Sequence, residues 1–274
     1  MSVLKWDQIG ERLYQTGVKK GVLYLQSNAA YPSGVAWNGL TEFTESPDGA
    51  EATDLYADDI KYLSLRSVEN FKCTIGCYMY PPEFEECNGE KSLIAGVTIG
   101  QQPRKPFGFS CVTTIGNDVE YDDYGYIIHL VYGCTASPSE ENHQTVNDSP
   151  EAVEFSFEID TVPTAVTAIS GCKPTAHIEI DSTKVTKAQL TAIEAVLYGS
   201  DGEVSYDEFT GSTLAAETDY YERTGTENAY VYTKTTDTTM QSGKTYYTKT
   251  VTGATEARLP LPDEVISILQ RAAA

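Results

Sequence analysis

The chain has 274 residues, enough for one large or two modest domains, and its 40 acidic and 19 basic residues give a net charge of −21. Such an acidic surface repels phosphate backbones and anionic lipids, which disfavours specific nucleic-acid binding and membrane insertion. No stretch reaches the ~20 apolar residues of a membrane-spanning helix, and residues 1–15 lack the apolar region of a secretory signal. The six cysteines are therefore expected to be reduced thiols.

Strand patterns dominate the sequence. Tyrosine and threonine are abundant, with 19 tyrosines against 2 tryptophans, and both residue types favour strands. Apolar and polar residues alternate with a period of two over 71–80, 107–111, 155–160 and 176–181, which predicts strands with one buried face. Residues 124–133 are apolar on both faces, as in a central strand. With turn clusters between these segments, the sequence predicts a mainly β fold, a β-sandwich or barrel.

One amphipathic helix is predicted to flank this sheet. Thr186 and Gln189 form a capping-box pattern, apolar residues follow on one face, and Gly199 is placed to end the helix. A second, short helix is predicted from Pro262 onward, because a proline followed by two acidic residues suits a first helical turn.

Residues 203–254 are predicted to be a separate β module. The stretch 212–225 matches 238–251, with paired tyrosines in register, Tyr220–Tyr221 and Tyr246–Tyr247. Two copies are too few for a solenoid, which needs about three or more repeats. We therefore expect a core domain of residues 1–202 plus 255–274, with 203–254 as a surface-exposed insertion rich in Tyr and Thr.

Histidines offer weak candidates for chemistry. His129 lies in the most apolar strand, where a structural role is favoured over a catalytic one. His143 is predicted in a solvated loop. His177 shares an alternating face with Glu179 and Asp181, which could hold a metal, but a polar outer face explains the same pattern equally well.

Other motifs point away from catalysis. Cys73 and Cys77 are too far apart along one strand face to chelate zinc jointly, and they are expected to be buried apolar thiols. The stretch 201–209 lacks the glycine of a calcium loop, with Tyr206 in its place. No nucleophile elbow, phosphate loop or dinucleotide fingerprint occurs in the sequence. We therefore expect no enzyme activity, no cofactor and no metal site.

Four stretches carry a resemblance to a known family. They are YQTGVKKGVLYLQ (14–26), GVAWNGLTEFTESPDGAEATDLYADDIKYL (34–63), YPPEFEECNGE (80–90) and LPLPDEVISIL (259–269). Together they resemble the major tail protein, or tail tube protein, of long non-contractile-tailed bacteriophages. The second and third stretches are the most specific, because their order and spacing recur as a unit.

The resemblance implies a structural function and no catalytic residues. It implies a small β-sandwich or barrel flanked by a helix, assembled as homo-hexameric rings that stack into a tube for DNA ejection. The expected partners are copies of the chain, the tape measure, tail terminator and distal tail proteins, and phage DNA passing non-specifically through the lumen. The expected location is the virion tail, after assembly in the host cytoplasm.

Two groups of residues are candidates for this assembly. The acidic connection over 41–60 is expected to reach a neighbouring subunit or ring and to bury aromatic residues that an isolated chain exposes. The candidate inter-subunit contacts are Trp37, Phe43 and Tyr56. The candidate residues of the lumen-facing strands are Tyr62, Lys72, Thr74 and Tyr78. Negative or neutral walls would let DNA slide, because each basic contact to a phosphate adds affinity. Alternatively, acidic residues on the outer surface only keep the protein soluble and assembled tails apart.

Two other functions compete with the tube. A carbohydrate- or cell-surface-binding β-sandwich could use the Tyr-rich insertion for recognition, since tyrosine is a favoured contact residue. A sandwich-type glycoside hydrolase is the least favoured, because acidic pairs are everywhere and none is singled out by a motif.

Overall fold

The computed structural model of the chain describes residues 3–49, 51–140, 145, 152–225 and 230–273. The prediction of a mainly β fold is confirmed. The chain divides into two compact units, Met1–Tyr198 with Glu256–Ala274, here called the core unit, and Gly199–Thr255, here called the inserted unit. Among the described residues, no helix combines the length and apolar character that a membrane crossing requires.

Among its described residues, the core unit contains fourteen strands, one 3₁₀ helix (Pro82–Phe84) and two α-helices. The strands are β1 (Tyr14–Ser27), β2 (Ala30–Trp37), β3 (Leu40–Glu45), β4 (Asp48–Gly49), β5 (Ala52–Ala57), β6 (Ile60–Arg66), β7 (Glu69–Asn70), β8 (Lys72–Cys77), β9 (Lys91–Ile94), β10 (Val97–Ile99), β11 (Phe107–Asn117), β12 (Tyr121–Ala136), β13 (Phe155–Thr161) and β14 (His177–Asp181). The helices are α1 (Lys187–Tyr198) and α2 (Pro262–Ala273).

Eight of these strands form one antiparallel sheet that bends into two layers. The pairing order is β2-β1-β11-β12-β13-β8-β3, and β14 also pairs with β12. The long strand β12 changes partner along its length, from β14 at 127–131 to β13 at 134–136. Gly133 lies at this change with φ +60°, and a Cβ there would meet the carbonyl oxygen of Val162 at 2.3 Å. Glycine is therefore required where the sheet divides.

The main core lies between the two layers. Strand β8 contributes Cys73, Ile75 and Cys77, all buried, as the period-two pattern predicts. The alternation over 71–80 also places Met79 on this buried face, but Met79 is exposed because the strand ends at Cys77. The opposite layer contributes aromatic and aliphatic side chains, namely Leu23, Phe107, Phe109 and Val131.

Both helices cover the outer face of the layer formed by β1, β11, β12 and β14. Ile193 and Leu197 of α1 and Val265 and Ile268 of α2 form a second core with sheet residues such as Leu130. The predicted capping box at the start of α1 is confirmed: the amide N–H of Gln189 donates to Thr186 Oγ1 at 3.3 Å, and the amide N–H of Thr186 donates to Gln189 Oε1 at 2.8 Å.

The inserted unit is a four-stranded antiparallel sheet in the order β15-β18-β16-β17. Its strands are β15 (Glu203–Glu208), β16 (Tyr220–Thr224), β17 (Val231–Lys234) and β18 (Tyr246–Thr252). The repeated tyrosine pairs begin the neighbouring strands β16 and β18, where Tyr221 lies opposite Tyr247. Tyr220, Tyr246 and Tyr247 are buried within this unit.

Candidate functional site

Trp37 is a core residue, which corrects the expectation that it is exposed in the isolated chain. It is only 2% exposed, and its ring packs against Phe84, Phe109 and Phe157. The indole N–H donates a hydrogen bond to the carbonyl oxygen of Met79 at 3.1 Å. Because the side chain is already covered and its polar atom is paired, Trp37 has no surface left for an inter-subunit contact.

Phe43 is half-buried and faces the interior from β3. Its ring lies 6.0 Å from that of Phe109 and 5.4 Å from that of His129, centroid to centroid. The acidic connection over 41–60 is therefore not irregular: its first part is the sheet strand β3, and most of the rest belongs to a hairpin. Of the three predicted contact residues, Tyr56 alone is largely exposed.

The hairpin of β5 and β6 is the main exposed apolar element of this region. Its strands pair with each other, from Ala52 opposite Arg66 to Ala57 opposite Ile60, and with no further strand among the described residues. Every residue of β6 is exposed. The exposed fractions are 71% for Tyr56, 63% for Ile60, 68% for Tyr62 and 55% for Leu65. Sequence reasoning did not single out Ile60 and Leu65, although four of the six residues of IKYLSL (60–65) are apolar or aromatic.

The predicted lumen residues lie on two different elements. Tyr62 belongs to the hairpin, whereas Lys72 and Thr74 lie on the outer face of β8 and Tyr78 follows that strand. One sheet face therefore does not carry all four residues. Lys72 and Thr74 are partly covered, and Tyr78 is exposed.

The outer face of β3, β8 and β13 is acidic and hydroxyl-bearing. Glu42, Glu158 and Asp160 are exposed there, beside partly covered threonines of β3 and β8. Lys72 lies among them, with its Nζ 3.3 Å from Asp160 and 3.4 Å from Asp48. Both aspartates raise the pKa of the Lys72 ammonium. The basic residue of this face is thus neutralised by two neighbours.

A cluster of histidines and glutamates lies at one end of the interior. His129 of β12, His177 and Glu179 of β14, and Glu45 at the end of β3 offer ligand atoms that all lie within 4.8 Å of one another. His129 Nδ1 lies 3.2 Å from His177 Nε2 and 3.3 Å from Glu45 Oε1. His143, expected in a solvated loop, lies outside the described residues.

Burial controls the charge of this cluster. It lowers the pKa of His129 to about 4, and burial together with His129 lowers the pKa of His177 to about 4. Both imidazoles are therefore neutral near pH 7, so the contacts with Glu45 are not ion pairs. Burial, with a smaller contribution from the Glu179 charge, raises the pKa of Glu45. The sequence could not reveal this group, because Glu45 is distant along the chain.

Aromatic side chains cluster in the inserted unit. The rings of Tyr206 and Tyr232 stack 3.9 Å apart at 1°, and Tyr221 and Tyr247 pack edge-on against them. The guanidinium of Arg223 lies 5.0 Å from the ring centroid of Tyr247. The rings are thus partly used in packing against one another.

The cysteines are structural. All six lie among the described residues and are free thiols, five of them buried and Cys172 exposed. Burial raises the pKa of Cys73 to about 12 and that of Cys77 to about 11. The expectation that these two are buried thiols is confirmed.

Comparison with known protein families and curated proteins identifies no relative of this chain. No protein-family model matches the chain. A search of curated proteins finds no significantly similar sequence.

Proposed function

We propose that this protein is the subunit of a phage tail tube, assembling as hexameric rings that stack around a channel for DNA. The observation that carries the proposal is the hairpin of β5 and β6, which displays large apolar side chains to solvent along its length. The sequence resemblance to tail tube proteins of non-contractile tails supplies the kind of partner: further copies of the same chain.

A two-stranded hairpin with this surface needs a partner. Directly paired residues share a face, and Leu55 lies opposite Leu63 while Ala57 lies opposite Ile60, with Tyr62 unpaired at a bulge between them. One face of the hairpin therefore carries Leu55, Ile60, Leu63 and Leu65, all exposed. An isolated two-stranded hairpin is marginally stable in water, and contiguous exposed apolar surface marks an interaction site. Contact with a neighbouring subunit would cover this apolar face.

Ring closure needs two different contact patches on each subunit, because the contacts are head-to-tail. A second exposed apolar hairpin is present in the core unit. It consists of β9 and β10, and it displays Leu93, Ile94 and Val97. The chain thus offers two distinct apolar hairpins, as a heterologous interface requires.

An open strand edge adds a further contact. Strand β3 ends the sheet and pairs only with β8 among the described residues. Unpaired edges are templates for strand addition by another chain. Because only the short strand β4 separates β3 from the hairpin in the chain, pairing at this edge and burial of the hairpin would involve neighbouring segments.

The outer face of β3, β8 and β13 is proposed to line the channel. Its exposed carboxylates repel phosphate, and its Lys72 is held by Asp48 and Asp160. Such a wall lets DNA pass without counterion-release affinity. In this account the protein is not an enzyme and needs no membrane insertion. Its other partners are the tape measure, tail terminator and distal tail proteins, in virion tails assembled in the host cytoplasm.

The test is the size of the assembly formed by a hairpin variant. Wild-type protein, concentrated and followed by sedimentation velocity, is expected to form species much larger than one chain. The variant Tyr56→Ser/Tyr62→Ser is expected to remain a single chain with an unchanged circular dichroism spectrum. The control Val204→Ser/Val251→Ser removes an exposed apolar cross-strand pair of the inserted unit and is expected to assemble normally. Equal assembly of the hairpin variant and wild type would contradict the proposal.

A second candidate function is recognition of carbohydrate or a cell surface by the inserted unit. The observation favouring it is the surface of Tyr230, which is exposed, with the Arg223 guanidinium 4.3 Å from its ring centroid. Tyrosine and arginine are common contact residues. Binding of the whole chain to a glycan array, lost in Tyr230→Ala, would support this function. The absence of glycan binding by wild type would exclude it.

A further inference from the structure

The histidine–glutamate cluster joins the two layers of the core unit. Glu45 lies at the end of β3 on the same face as Phe43, opposite Cys73 of β8, and its side chain is 35% exposed. His129 lies on β12 directly opposite Glu179 of β14, and His177 is two residues away on the same face of β14. Two segments of one layer and the edge strand of the other thus direct four potential ligands to one place.

The separations fit a tetrahedral metal site. With bonds of about 2.0–2.1 Å, two ligands of a tetrahedral Zn²⁺ ion lie about 3.3–3.4 Å apart. His129 Nδ1 lies 3.2 Å from His177 Nε2 and 3.3 Å from Glu45 Oε1. His177 Nε2 lies 3.8 Å from Glu45 Oε1, and Glu179 Oε1 lies 4.0 Å from His129 Nδ1. Small rotations of the two glutamate side chains would close the set around one ion.

Surrounding side chains hold the imidazoles in position. His129 Nε2 lies 2.9 Å from Thr113 Oγ1, so this nitrogen can donate its hydrogen to the hydroxyl and leave Nδ1 as a ligand. Phe71 stacks on the ring of His177 at 4.5 Å and 22°, and Phe43 packs against His129. Ligand histidines typically have a hydrogen-bond partner of this kind and an apolar surround.

We propose that Glu45, His129, His177 and Glu179 bind one Zn²⁺ ion, which ties β3 to β12 and β14. Imidazole ligands favour zinc over calcium and magnesium, which take oxygen ligands, and two neutral imidazoles with two carboxylates give an uncharged complex. Four protein ligands make the site structural. In the metal-free chain the two histidines instead share an N–H···N hydrogen bond across the same 3.2 Å.

This site goes beyond the proposed function and is independent of it, because all four ligands belong to one chain. It differs from the expectation of no metal drawn from the sequence, in which His177, Glu179 and Asp181 were grouped on one strand face. In the structure Asp181 pairs with Lys184 at 2.8 Å, and Glu45 takes part in its place.

Calorimetric titration of the full chain tests the proposal. The protein is treated with a chelator, desalted and titrated with ZnCl₂ in a large excess of MgCl₂, which occupies the many surface carboxylates. We expect one Zn²⁺ bound per chain and a higher thermal unfolding temperature with the metal. Replacement of Zn²⁺ by Co²⁺ is expected to give the intense visible absorption of a tetrahedral site.

Variants then assign the ligands. His177→Asn and Glu45→Gln are each expected to weaken Zn²⁺ binding by at least about tenfold. Removing a residue that only hydrogen-bonds to a ligand already lowers metal affinity by about that factor, and removing the ligand itself should lower it at least as much. The control His143→Asn removes the remaining histidine, and Glu158→Gln removes an exposed acid of β13; both are expected to bind as wild type does. If His177→Asn is unfolded, the surface double variant Glu45→Gln/Glu179→Gln replaces it. Absence of one-to-one binding, or unchanged affinity in the ligand variants, would overturn the proposal.

Discussion

The indole ring of Trp37 packs 4.6 Å from the ring of Phe84, centroid to centroid, and so joins the end of β2 to the 3₁₀ helix at Pro82–Phe84. Both side chains are buried, and Trp37 also contacts Phe109 and Phe157. One aromatic residue from each of the segments 34–63 and 80–90 thus meets the other in the core.

Truncating this ring is expected to destabilise the fold. Trp37→Ala should lower the free energy of unfolding by about 3–5 kcal/mol, because it leaves a cavity among aromatic rings. Denaturant unfolding followed by circular dichroism measures the loss. Trp37→Phe keeps most of the packing and should still assemble as wild type does. Failure of a fully folded Trp37→Phe protein to assemble would show that the indole has a role at the interface.

Neutralising the proposed channel wall should change DNA passage and spare assembly. The variant Glu42→Gln/Glu158→Gln removes two exposed carboxylates from the outer face of β3 and β13, and phosphate would then be repelled less. In phage carrying this chain, triggered DNA release is expected to be slower, with tails of normal length. The control Glu203→Gln/Glu208→Gln changes the inserted unit and should leave release unchanged. Wild-type release in the channel variant would contradict the assignment of this face.

Asp263 should make stability depend on acidity. Its carboxylate accepts hydrogen bonds from the backbone amides of Thr167 at 2.8 Å and Ala168 at 2.9 Å, and from the hydroxyl of Thr167. These hydrogen bonds lower the pKa of Asp263, and the bond from the Thr167 hydroxyl has the largest effect. A carboxyl with a lowered pKa stabilises the fold above its usual pKa, and the effect disappears as pH falls through the folded-state value.

Thermal unfolding of Asp263→Ala measures this dependence. The variant should unfold at a lower temperature than wild type near neutral pH, and the difference should shrink as pH falls through the lowered pKa of the wild-type carboxyl. The control Asp201→Ala, at an exposed position of the inserted unit, should show a much smaller difference. If the difference in unfolding temperature between wild type and Asp263→Ala stayed constant with pH, the ionised carboxylate of Asp263 would not be what stabilises the fold.

The thiols should differ sharply in reactivity. Burial raises the pKa of Cys73 and of Cys87 to about 12, and it raises those of Cys111 and Cys134 as well, so their thiolates are scarce near neutral pH. A thiol reagent should therefore titrate one fast group per native chain and all six in denaturant. The fast group should be absent in Cys172→Ser. Several fast thiols in the native protein would contradict the buried positions.

Local patterns predicted the local structure well. The alternation around Cys73, Ile75 and Cys77 placed these residues in the core because each strand has one face toward the opposite layer. The capping box of α1 was visible because Thr186 and Gln189 are three residues apart, and the bonds between them form within a single turn.

Long-range packing accounts for what the sequence did not reveal. Trp37 looked exposed because its neighbours in the chain are turn residues, whereas its actual contacts, such as Phe109 and Phe157, come from distant strands. In the same way, Glu45 meets His129 only because β3 lies across the interior from β12. The alternation of apolar and polar residues assigns each residue to one face of its own strand. It does not reveal which distant residues pack against that face.

Electron microscopy of the concentrated wild-type protein tests the central claim most directly. Negatively stained particles should include rings with six-fold symmetry in end view and stacked tubes in side view, formed by this chain alone. Single chains at every concentration, together with absence of the protein from virions, would contradict a function as a tube subunit.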